Sequence, residues 1–320
     1  MSSSEAIGVD LGGTKMLLGV LDPSSEVAWK SHERSTGQGE EELVELLVRE
    51  IEEACTERPG VSVVGLGIPA TVDHGRGLAV SAVNLPIENL PIRDIVSERI
   101  GLPVFVDNDA NVAALAEHLY GAARGARNAV MLTIGTGIGG GLILGGELYR
   151  GATGAGAELG HVVIAMDGPR CQGNCPNRGC VETFASGTAI GREGRDAAER
   201  EPDSALGRMG AEGREIDGRA VTEAALEGDP TAVSVFDLVG RRLGVALASF
   251  ANIFEPEAIV IGGGVIAAGD LLLEPARGEL QARALPPMNR TPVVEAELGS
   301  DAGMIGAAAM ARIELQRGGS

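Results

Sequence analysis

Apolar and polar positions at the start of the chain follow the pattern of a β-hairpin. Residues 7–9 and 16–21 are apolar runs on either side of a short Gly-containing turn, and a third extended run lies near residues 27–32. Two extended runs joined by such a turn are typical of a hairpin. We therefore expect the chain to open with paired strands.

Helix and strand patterns alternate after the hairpin. Residues 40–56 have apolar side chains three or four positions apart, which predicts a helix with one buried face. Residues 61–68 and 103–106 predict buried strands, and residues 110–120 predict a second helix. Both strands end in a polar segment, so polar side chains are expected at the carboxyl edge of a sheet.

A second unit of similar pattern follows. Residues 129–134 and 140–144 are apolar runs joined by a Gly-Thr-Gly turn, as at the N-terminus. Residues 229–254 predict a long helix, residues 258–261 a strand and residues 304–315 a closing helix. The repetition predicts two α/β halves with a cleft between them, where the polar turns converge.

Two stretches lack this periodicity. Residues 151–180 are rich in Gly and in polar and sulfur ligands, which predicts irregular structure. Residues 193–219 are polar, rich in Arg, Glu and Gly, and weakly patterned, so we expect a surface excursion there.

The composition is that of a globular chain. Its 320 residues are 44% hydrophobic and 22% charged, enough to bury a substantial core in one large domain or two smaller ones. There is no run of eighteen apolar residues and no basic N-terminal region. The sequence therefore predicts neither a membrane span nor a secretory signal, and we expect a cytoplasmic protein.

The charge balance restricts the partners. Asp and Glu total 45 against 26 Lys and Arg, a formal net charge of −19 at pH 7. An acidic surface repels phosphate backbones, so we expect no nucleic-acid partner, and long polyphosphate is disfavoured on the same ground.

Two Gly-Thr turns have the composition of phosphate-binding loops. They are residues 10–15 (DLGGTK) and 135–141 (GTGIGGG). Glycines allow backbone N–H groups to approach an anion, and Thr and Lys add donors. Asp10, at the end of the preceding strand, is well placed to hold Mg²⁺ directly or through water. The alternative is that the glycines only permit tight turns.

Residues 107–111 (DNDAN) follow a strand and open a helix. Asp and Asn are preferred helix caps, which is one interpretation of the cluster. The other is that a carboxylate acts as general base while Asn108 binds a substrate hydroxyl. Both can hold for different residues.

The sulfur cluster is the most specific signal in the sequence. Cys171, Cys175 and Cys180 lie within ten residues, and His161 lies ten residues upstream. Three thiolates and one imidazole would complete a closed, structural zinc site, and the alternative is that the thiols bind no metal. Disulfides explain three cysteines less well in a chain without a secretory signal. The fourth, Cys55, is expected in the core.

Two carboxylates lie close to this cluster in the sequence. Glu158 precedes His161 by three residues, and Glu182 follows Cys180 by two. A metal-bound loop would direct both carboxylates and one His161 nitrogen at a polyol. Alternatively, these Glu residues support the metal ligands or are solvated.

Taken together, these residues resemble the ROK family (repressors, open reading frames and sugar kinases), and within it the bacterial glucokinases. The matching elements cover nearly the whole chain. They are DLGGTK at 10–15, GIPATVD at 67–73, DNDAN at 107–111, GTGIGGG at 135–141, ELGH at 158–161, the cysteines with Val181 and Glu182, and GGG at 262–264. One departure is that Cys171 and Cys175 are separated by three residues, where the family commonly has one.

The resemblance implies an α/β fold of the actin-like ATPase (ribonuclease H-like) type with two lobes and a cleft. It implies a small lobe of residues 1–115 plus 304–320. It also implies a large lobe of residues 116–303, with a zinc-binding loop at about 156–182. The activity implied is ATP-dependent phosphorylation of glucose at the 6-hydroxyl, with Mg²⁺ accompanying ATP and a structural Zn²⁺.

The resemblance also implies roles for individual residues. Asp109 is the implied catalytic base. The implied glucose ligands are Asn84, Asn108, Asp109, Glu158, His161 and Glu182. The implied ligands of the ATP phosphates and Mg²⁺ are Asp10, Gly12, Gly13, Thr14, Lys15, Thr136 and Gly137. Gly263 and Gly264 are expected beside the adenosine, and His161, Cys171, Cys175 and Cys180 around zinc.

Three alternatives stay open at this point. In the first alternative, the acceptor is another hexose (fructose, N-acetylmannosamine, mannose or allose). The sequence distinguishes these sugars poorly, because epimer selection depends on small differences in ligand placement. The protein is instead a sugar-sensing regulator of the family, which the short segment before Asp10 and the net charge both oppose. The donor is polyphosphate rather than ATP. The resemblance further implies a homodimer or homotetramer.

Overall fold

Strands and helices alternate along the chain in a computed structural model that describes residues 4–35, 39–82 and 85–318. The strands, in chain order, are β1 (Glu5–Leu11), β2 (Lys15–Leu21), β3 (Val27–Arg34), β4 (Val61–Ile68), β5 (Ala70–Asp73), β6 (Leu78–Ala82), β7 (Glu88–Leu90), β8 (Val104–Asn108), β9 (Ala129–Ile134), β10 (Ile138–Leu144), β11 (Glu147–Leu148), β12 (Ala258–Gly262) and β13 (Val293–Glu295). The helices are α1 (Glu40–Glu57), α2 (Ile92–Ile100), α3 (Asp109–Tyr120), α4 (Val181–Ala185), α5 (Gly187–Arg200), α6 (Ala205–Ala211), α7 (Gly218–Leu226), α8 (Pro230–Phe254), α9 (Asp270–Arg283) and α10 (Ala302–Gly318).

The chain divides into two units. The first unit comprises Met1–Gly125, Gly141–Ala157 and Glu297–Ser320, and the second comprises Ala126–Gly140 and Glu158–Ala296. This division groups residues 116–125, 141–157 and 297–303 with the first unit, whereas the sequence-based boundaries placed them in the large lobe.

The first unit is built on a five-stranded sheet of order β3-β2-β1-β4-β8. Strand β2 pairs antiparallel with both β1 and β3, which confirms the predicted hairpin and its third strand. Strand β4 runs parallel to both β1 and β8. A small antiparallel sheet of order β5-β6-β7, which the apolar pattern did not predict, completes this unit.

The second five-stranded sheet has the order β11-β10-β9-β12-β13. Strand β12 runs parallel to β9 and to β13, and β11 pairs antiparallel with β10. In each sheet, the first strand of the hairpin (β1 or β9) lies at the centre. Two parallel strands lie beyond it, β4 and β8 in the first sheet and β12 and β13 in the second. This repetition agrees with the duplicated α/β architecture predicted from the two Gly-Thr hairpins.

Helices cover both faces of the first sheet. On one face, the apolar side of α1, including Leu43, Leu47 and Ile51, packs in a core cluster with Ile7 and Leu66. The opposite face packs against the closing helix α10 and against α3. Because side chains alternate along a strand, successive residues of β1 serve the two faces in turn.

A row of three glycines allows α10 to approach this sheet closely. Gly8 pairs with Gly19 on one side and with Gly65 on the other. A Cβ atom on Gly8 would lie 1.9 Å from the carbonyl oxygen of Met304, and one on Gly65 would lie 1.9 Å from that of Ala307. The backbone of α10 therefore rests on the sheet where no side chain intervenes.

The end of α10 is tied to the loop after β5 by an ion pair. Glu314 on α10 lies 3.6 Å from Nε2 of His74, whose Nδ1 is 2.9 Å from the carbonyl oxygen of Val106. This contact raises the pKa of His74 and lowers the pKa of Glu314. His74 therefore has a structural partner, whereas the sequence had given it no motif.

In the second unit, the expected surface excursion at residues 193–219 is wrong. The segment contains most of α5, all of α6 and the start of α7, and Ala197, Leu206 and Ile216 are buried. Small residues form much of the buried faces, so the apolar periodicity is weak although the helices pack. Residues 151–180 are irregular as predicted, apart from one short 3₁₀ turn at Leu159–His161.

Within the three described ranges, no helix combines the length and the apolar character needed to cross a membrane.

Gly65→Ala is expected to destabilise the protein by about 3 kcal/mol or more, because its methyl group would overlap the backbone of α10. Gly278→Ala is the matched control: it lies within α9, and a Cβ there meets nothing within 4 Å. In a helix interior this change should stabilise by about 0.5–1 kcal/mol. Urea denaturation measures both, and equal stabilities would contradict the close approach of α10.

The His74–Glu314 pair predicts a pH-dependent contribution to stability. Because the pKa of His74 is raised above its ordinary value of 6.5, protonated His74 stabilises the folded state fully when the pH is below 6.5. This contribution is lost as the pH rises through the raised pKa. Because the pKa of Glu314 is lowered below its ordinary value of 4.5, ionised Glu314 stabilises the folded state fully when the pH is above 4.5. This contribution is lost as the pH falls through the lowered pKa. The wild type should therefore exceed His74→Gln in stability by about 0.5–1 kcal/mol near pH 5.5, and by less above neutrality. Urea titrations at each pH measure the difference. It should become smaller in a Glu314→Gln background, where His74 keeps only its contacts with Val106 and Asp107. A difference independent of pH would contradict the pairing.

Candidate functional site

The first Gly-Thr turn joins β1 to β2 in a tight backbone loop. The N–H of Gly12 donates to the carbonyl oxygen of Lys15 at 2.8 Å, and a Cβ on Gly12 would lie 2.9 Å from that oxygen. The buried hydroxyl of Ser35 donates to the carbonyl oxygen of Gly12 at 2.7 Å. Thr14 and Lys15 are exposed, and Gly12 and Gly13 are half-buried. Ser35, which directly follows β3, thus fixes the loop, a role that no local motif indicated.

Two carboxylates lie close together beside this turn. Burial and the nearby Asp109 carboxylate raise the pKa of Asp10 to about 7, against the opposing effect of Lys15. Burial likewise raises the pKa of Asp109, although the backbone N–H of Ala110 opposes the shift. Asp10 shares its face of β1 with Gly8, and a Cβ on Gly303 of α10 would meet its carboxyl carbon at 2.6 Å. Paired carboxylates with raised pKa values fit an oxygen site for a divalent cation.

The DNDAN residues divide their roles at the junction of β8 and α3. The side-chain oxygen of Asn108 accepts from the N–H groups of Ala110 and Asn111 at 2.9 and 3.2 Å, so Asn108 is the helix cap. Its Nδ2 donates to the carbonyl oxygen of Ala70 at 3.3 Å. The capping interpretation is therefore confirmed for Asn108, and Asp109 is the first residue of α3, half-buried at the helix N-terminus.

The second Gly-Thr turn, at the junction of β9 and β10, is held by the start of α5. The N–H of Gly187 donates to the carbonyl oxygen of Gly135 at 2.8 Å, and the Thr188 hydroxyl donates to that of Thr136 at 2.8 Å. Thr136 is exposed and Gly137 half-buried, as a ligand-binding loop requires.

Two glycines follow β12, and the first of them lies against the end of β9. Gly263 has φ +86°, and a Cβ there would lie 2.5 Å from the carbonyl oxygen of Ile134, so only glycine fits. Gly264 follows it and is exposed, with nothing within 4 Å of its Cβ position.

The predicted metal ligands converge in the second unit. One donor atom from each of His161, Cys171, Cys175 and Cys180 lies within 4.8 Å of all the others. Sγ of Cys171 is 3.4 Å from Nδ1 of His161, and Sγ of Cys175 is 3.9 Å from Sγ of Cys180. Tetrahedral Zn–S bonds of about 2.3 Å place two sulfurs about 3.8 Å apart, so the residues present fit zinc. The longer spacing between Cys171 and Cys175 still brings both sulfurs into the cluster.

The two carboxylates next to the cluster have different surroundings. Glu158 is exposed, with Oε2 4.0 Å from Nε2 of His161, on the ring edge opposite the thiols. Glu182 is nearly buried, and its Oε2 accepts from the N–H of Ile138 at 2.8 Å while Oε1 lies 3.8 Å from Sγ of Cys171. Glu182 thus links the sulfur cluster to the second Gly-Thr turn. The remaining predicted sugar ligand, Asn84, lies outside the described residues.

The ROK family pattern matches residues 6–314 of the chain. A glucokinase of Streptomyces coelicolor is 38% identical over 316 residues, which cover 96% of this chain and 97% of that protein. A glucokinase of Thermotoga maritima is 36% identical over 313 residues, covering 97% and 98%. The crystal structure of a ROK family glucokinase from Streptomyces griseus, in complex with glucose and AMPPNP, is similar with a TM-score of 0.85 and 37% identity, covering 97% of this chain and 99% of that one.

These matches confirm both the predicted resemblance and the predicted actin-like ATPase fold. Because the family pattern spans nearly the whole sequence, the chain belongs to the ROK family.

Proposed function

We propose that this protein is a glucokinase, an enzyme that transfers the γ-phosphoryl group of ATP to the 6-hydroxyl of glucose. The observation that carries this proposal is the full-length similarity to glucokinases, one of which was crystallised with glucose and AMPPNP. Mg²⁺ accompanies ATP in such a reaction.

Asp109 is proposed as the general base. Phosphoryl transfer depends mainly on positioning and charge neutralisation, so the protein needs one group to accept the hydroxyl proton as the oxygen attacks. Asp109 lies at the N-terminus of α3, and burial raises its pKa toward the range in which a carboxylate accepts a proton effectively. In the proposed step, the proton of the 6-hydroxyl passes to Asp109 and the 6-oxygen bonds to the γ-phosphorus of ATP. The bond between that phosphorus and the β,γ-bridging oxygen breaks, and ADP leaves.

The turn of residues 10–15 is the proposed phosphate loop of the first unit. Gly12, Gly13 and Thr14 offer backbone and hydroxyl donors, and Lys15 offers a positive charge. Asp10 would hold Mg²⁺, which when bound neutralises phosphate charge. In the second unit, Thr136 and Gly137 are proposed to bind phosphates, and Gly263 and Gly264 to flank the adenosine.

The proposed sugar ligands are Asn84, Asn108, Asp109, Glu158, His161 and Glu182. Nδ1 of His161 faces the thiols, so Nε2 is the nitrogen left for a hydroxyl. Zinc held by His161, Cys171, Cys175 and Cys180 would cross-link the loop that presents these groups. Its role is proposed as structural, because four protein donors leave no position for a reacting water.

A coupled kinase assay tests the proposed function. The protein is assayed with ATP and with polyphosphate as donors, and with glucose, fructose, mannose, allose and N-acetylmannosamine as acceptors. The highest kcat/KM is expected for ATP with glucose. Higher values for another hexose or for polyphosphate would replace this assignment.

The protein is also proposed to be a homodimer or homotetramer. Size-exclusion chromatography with light scattering tests this proposal.

Asp109→Asn is expected to lower kcat by about 10² to 10⁴, because the amide cannot accept the proton. Glucose affinity, measured by calorimetry, should change little. Asp203→Asn, an exposed aspartate of the second unit, serves as control and should keep the wild-type kcat. Asp109→Asn with near-normal turnover would remove Asp109 from the mechanism.

Cys175→Ser is expected to release the metal. Elemental analysis should find one zinc per wild-type chain and much less in the variant, and the KM for glucose should rise by about 10-fold or more. Cys55→Ser is the matched control, since Cys55 lies in α1 of the first unit and outside the cluster. Wild-type protein purified without zinc, from medium that supplies it, would contradict the site.

A further inference from the structure

A fully buried carboxylate lies directly before the residues proposed to bind and activate the sugar. Asp107, in β8, has no exposed surface. Its Oδ1 accepts from the backbone N–H of Asn108 at 2.8 Å and from Nδ2 of Asn111 at 2.9 Å. These two residues flank Asp109, so one carboxylate oxygen holds the turn on both sides of the proposed base.

The second oxygen of Asp107 is paired with an arginine. Nε of Arg150 donates to Oδ2 of Asp107 at 2.5 Å, and the Arg150 side chain is 17% exposed. Nη2 of Arg150 lies 3.3 Å from Oε1 of Glu314, which also contacts His74. One guanidinium therefore bridges a carboxylate of β8 and a carboxylate of α10.

The orientation of Asn111 shows that the Asp107 carboxylate determines the local hydrogen bonding. A carboxylate only accepts, so Asn111 must present its NH₂ group to Asp107. Among the residues that the structure describes, the buried Oδ1 of Asn111 has no hydrogen-bond partner. An amide oxygen is left unpaired in the interior because the opposite orientation would turn it toward the Asp107 carboxylate.

We propose that Asp107 and Arg150 are a positioning pair for the proposed phosphoryl transfer. Asp107 fixes the Asn108–Asp109 turn, and Arg150 fixes Asp107 by bridging it to Glu314. Neither residue touches the substrate in this account, and both act through the orientation of Asp109. The inference rests on the proposed function, because Asp109 must be the base for its orientation to affect turnover.

The geometry requires arginine rather than any cation. The guanidinium presents Nε to one carboxylate and Nη2 to the other, whereas a lysine ammonium is a single point charge. Arg150→Lys keeps the charge but loses the bridge, so it should be only partly active. Arg150→Met loses both and leaves the buried Asp107 carboxylate with only His74, whose Nδ1 lies 3.8 Å from Oδ2.

The experiment measures kcat, the KM values of glucose and ATP, and thermal stability for both variants. Arg150→Met should lose about 10- to 100-fold in kcat, and Arg150→Lys less, while both KM values stay within about threefold. Assays are run well below the unfolding temperature of every variant. If Arg150→Met does not fold, Arg150→Lys alone tests the positioning role, and its kcat is expected to fall by about fivefold or more.

Arg312→Met is the control for a merely structural effect. Arg312 is 8% exposed, lies on α10 near Glu314, and donates to the backbone carbonyls of Leu21 and Asp22 at 2.6 and 2.5 Å. It should lose stability and keep the wild-type kcat. If the Arg150 variants keep kcat within twofold of an active wild type, or if Arg312→Met loses as much kcat, the positioning role is overturned. A wild type that does not phosphorylate glucose overturns the proposed function, and this inference with it.

Discussion

The close packing of α10 on the first sheet is the constraint on which the rest of the first unit depends. Gly19, Gly8 and Gly65 form a row across three strands. The backbone of α10 occupies the space above Gly8 and Gly65, and the side chain of Met304 on α10 occupies the space above Gly19. Interiors are packed like crystals, so a helix that approaches this closely has one position rather than a range of positions. The side chains that α10 carries are therefore held at fixed positions relative to the first sheet.

Both ends of α10 reach the candidate site from this fixed position. Its first turn places Gly303 against the carboxylate of Asp10, where a side chain would not fit. Near its other end, Glu314 contacts Arg150, which in turn pairs with Asp107 below the Asn108–Asp109 turn. The chemistry proposed for the first unit therefore depends on a helix that contributes no predicted ligand of its own.

Sequence reasoning found what short segments determine. The hairpins, the strand at Val61–Ile68 and the His161 and cysteine cluster follow from local periodicity or spacing, and the structure has them. It missed Arg150, Ser35 and the glycine row, because their partners are distant in the sequence and only strand register brings them together. It was wrong for residues 193–219, where helices pack through small residues that give little periodic signal. The ligand roles within the site and the cytoplasmic location stay predictions.

The most direct test of the account is a crystal structure of this protein with glucose and AMPPNP. We expect a carboxylate oxygen of Asp109 within hydrogen-bond distance of the glucose 6-hydroxyl, about 2.6–3.2 Å. That hydroxyl should also lie in line with the terminal phosphorus. An Asp109 carboxylate turned away from the sugar, with a different group on the 6-hydroxyl, would contradict it.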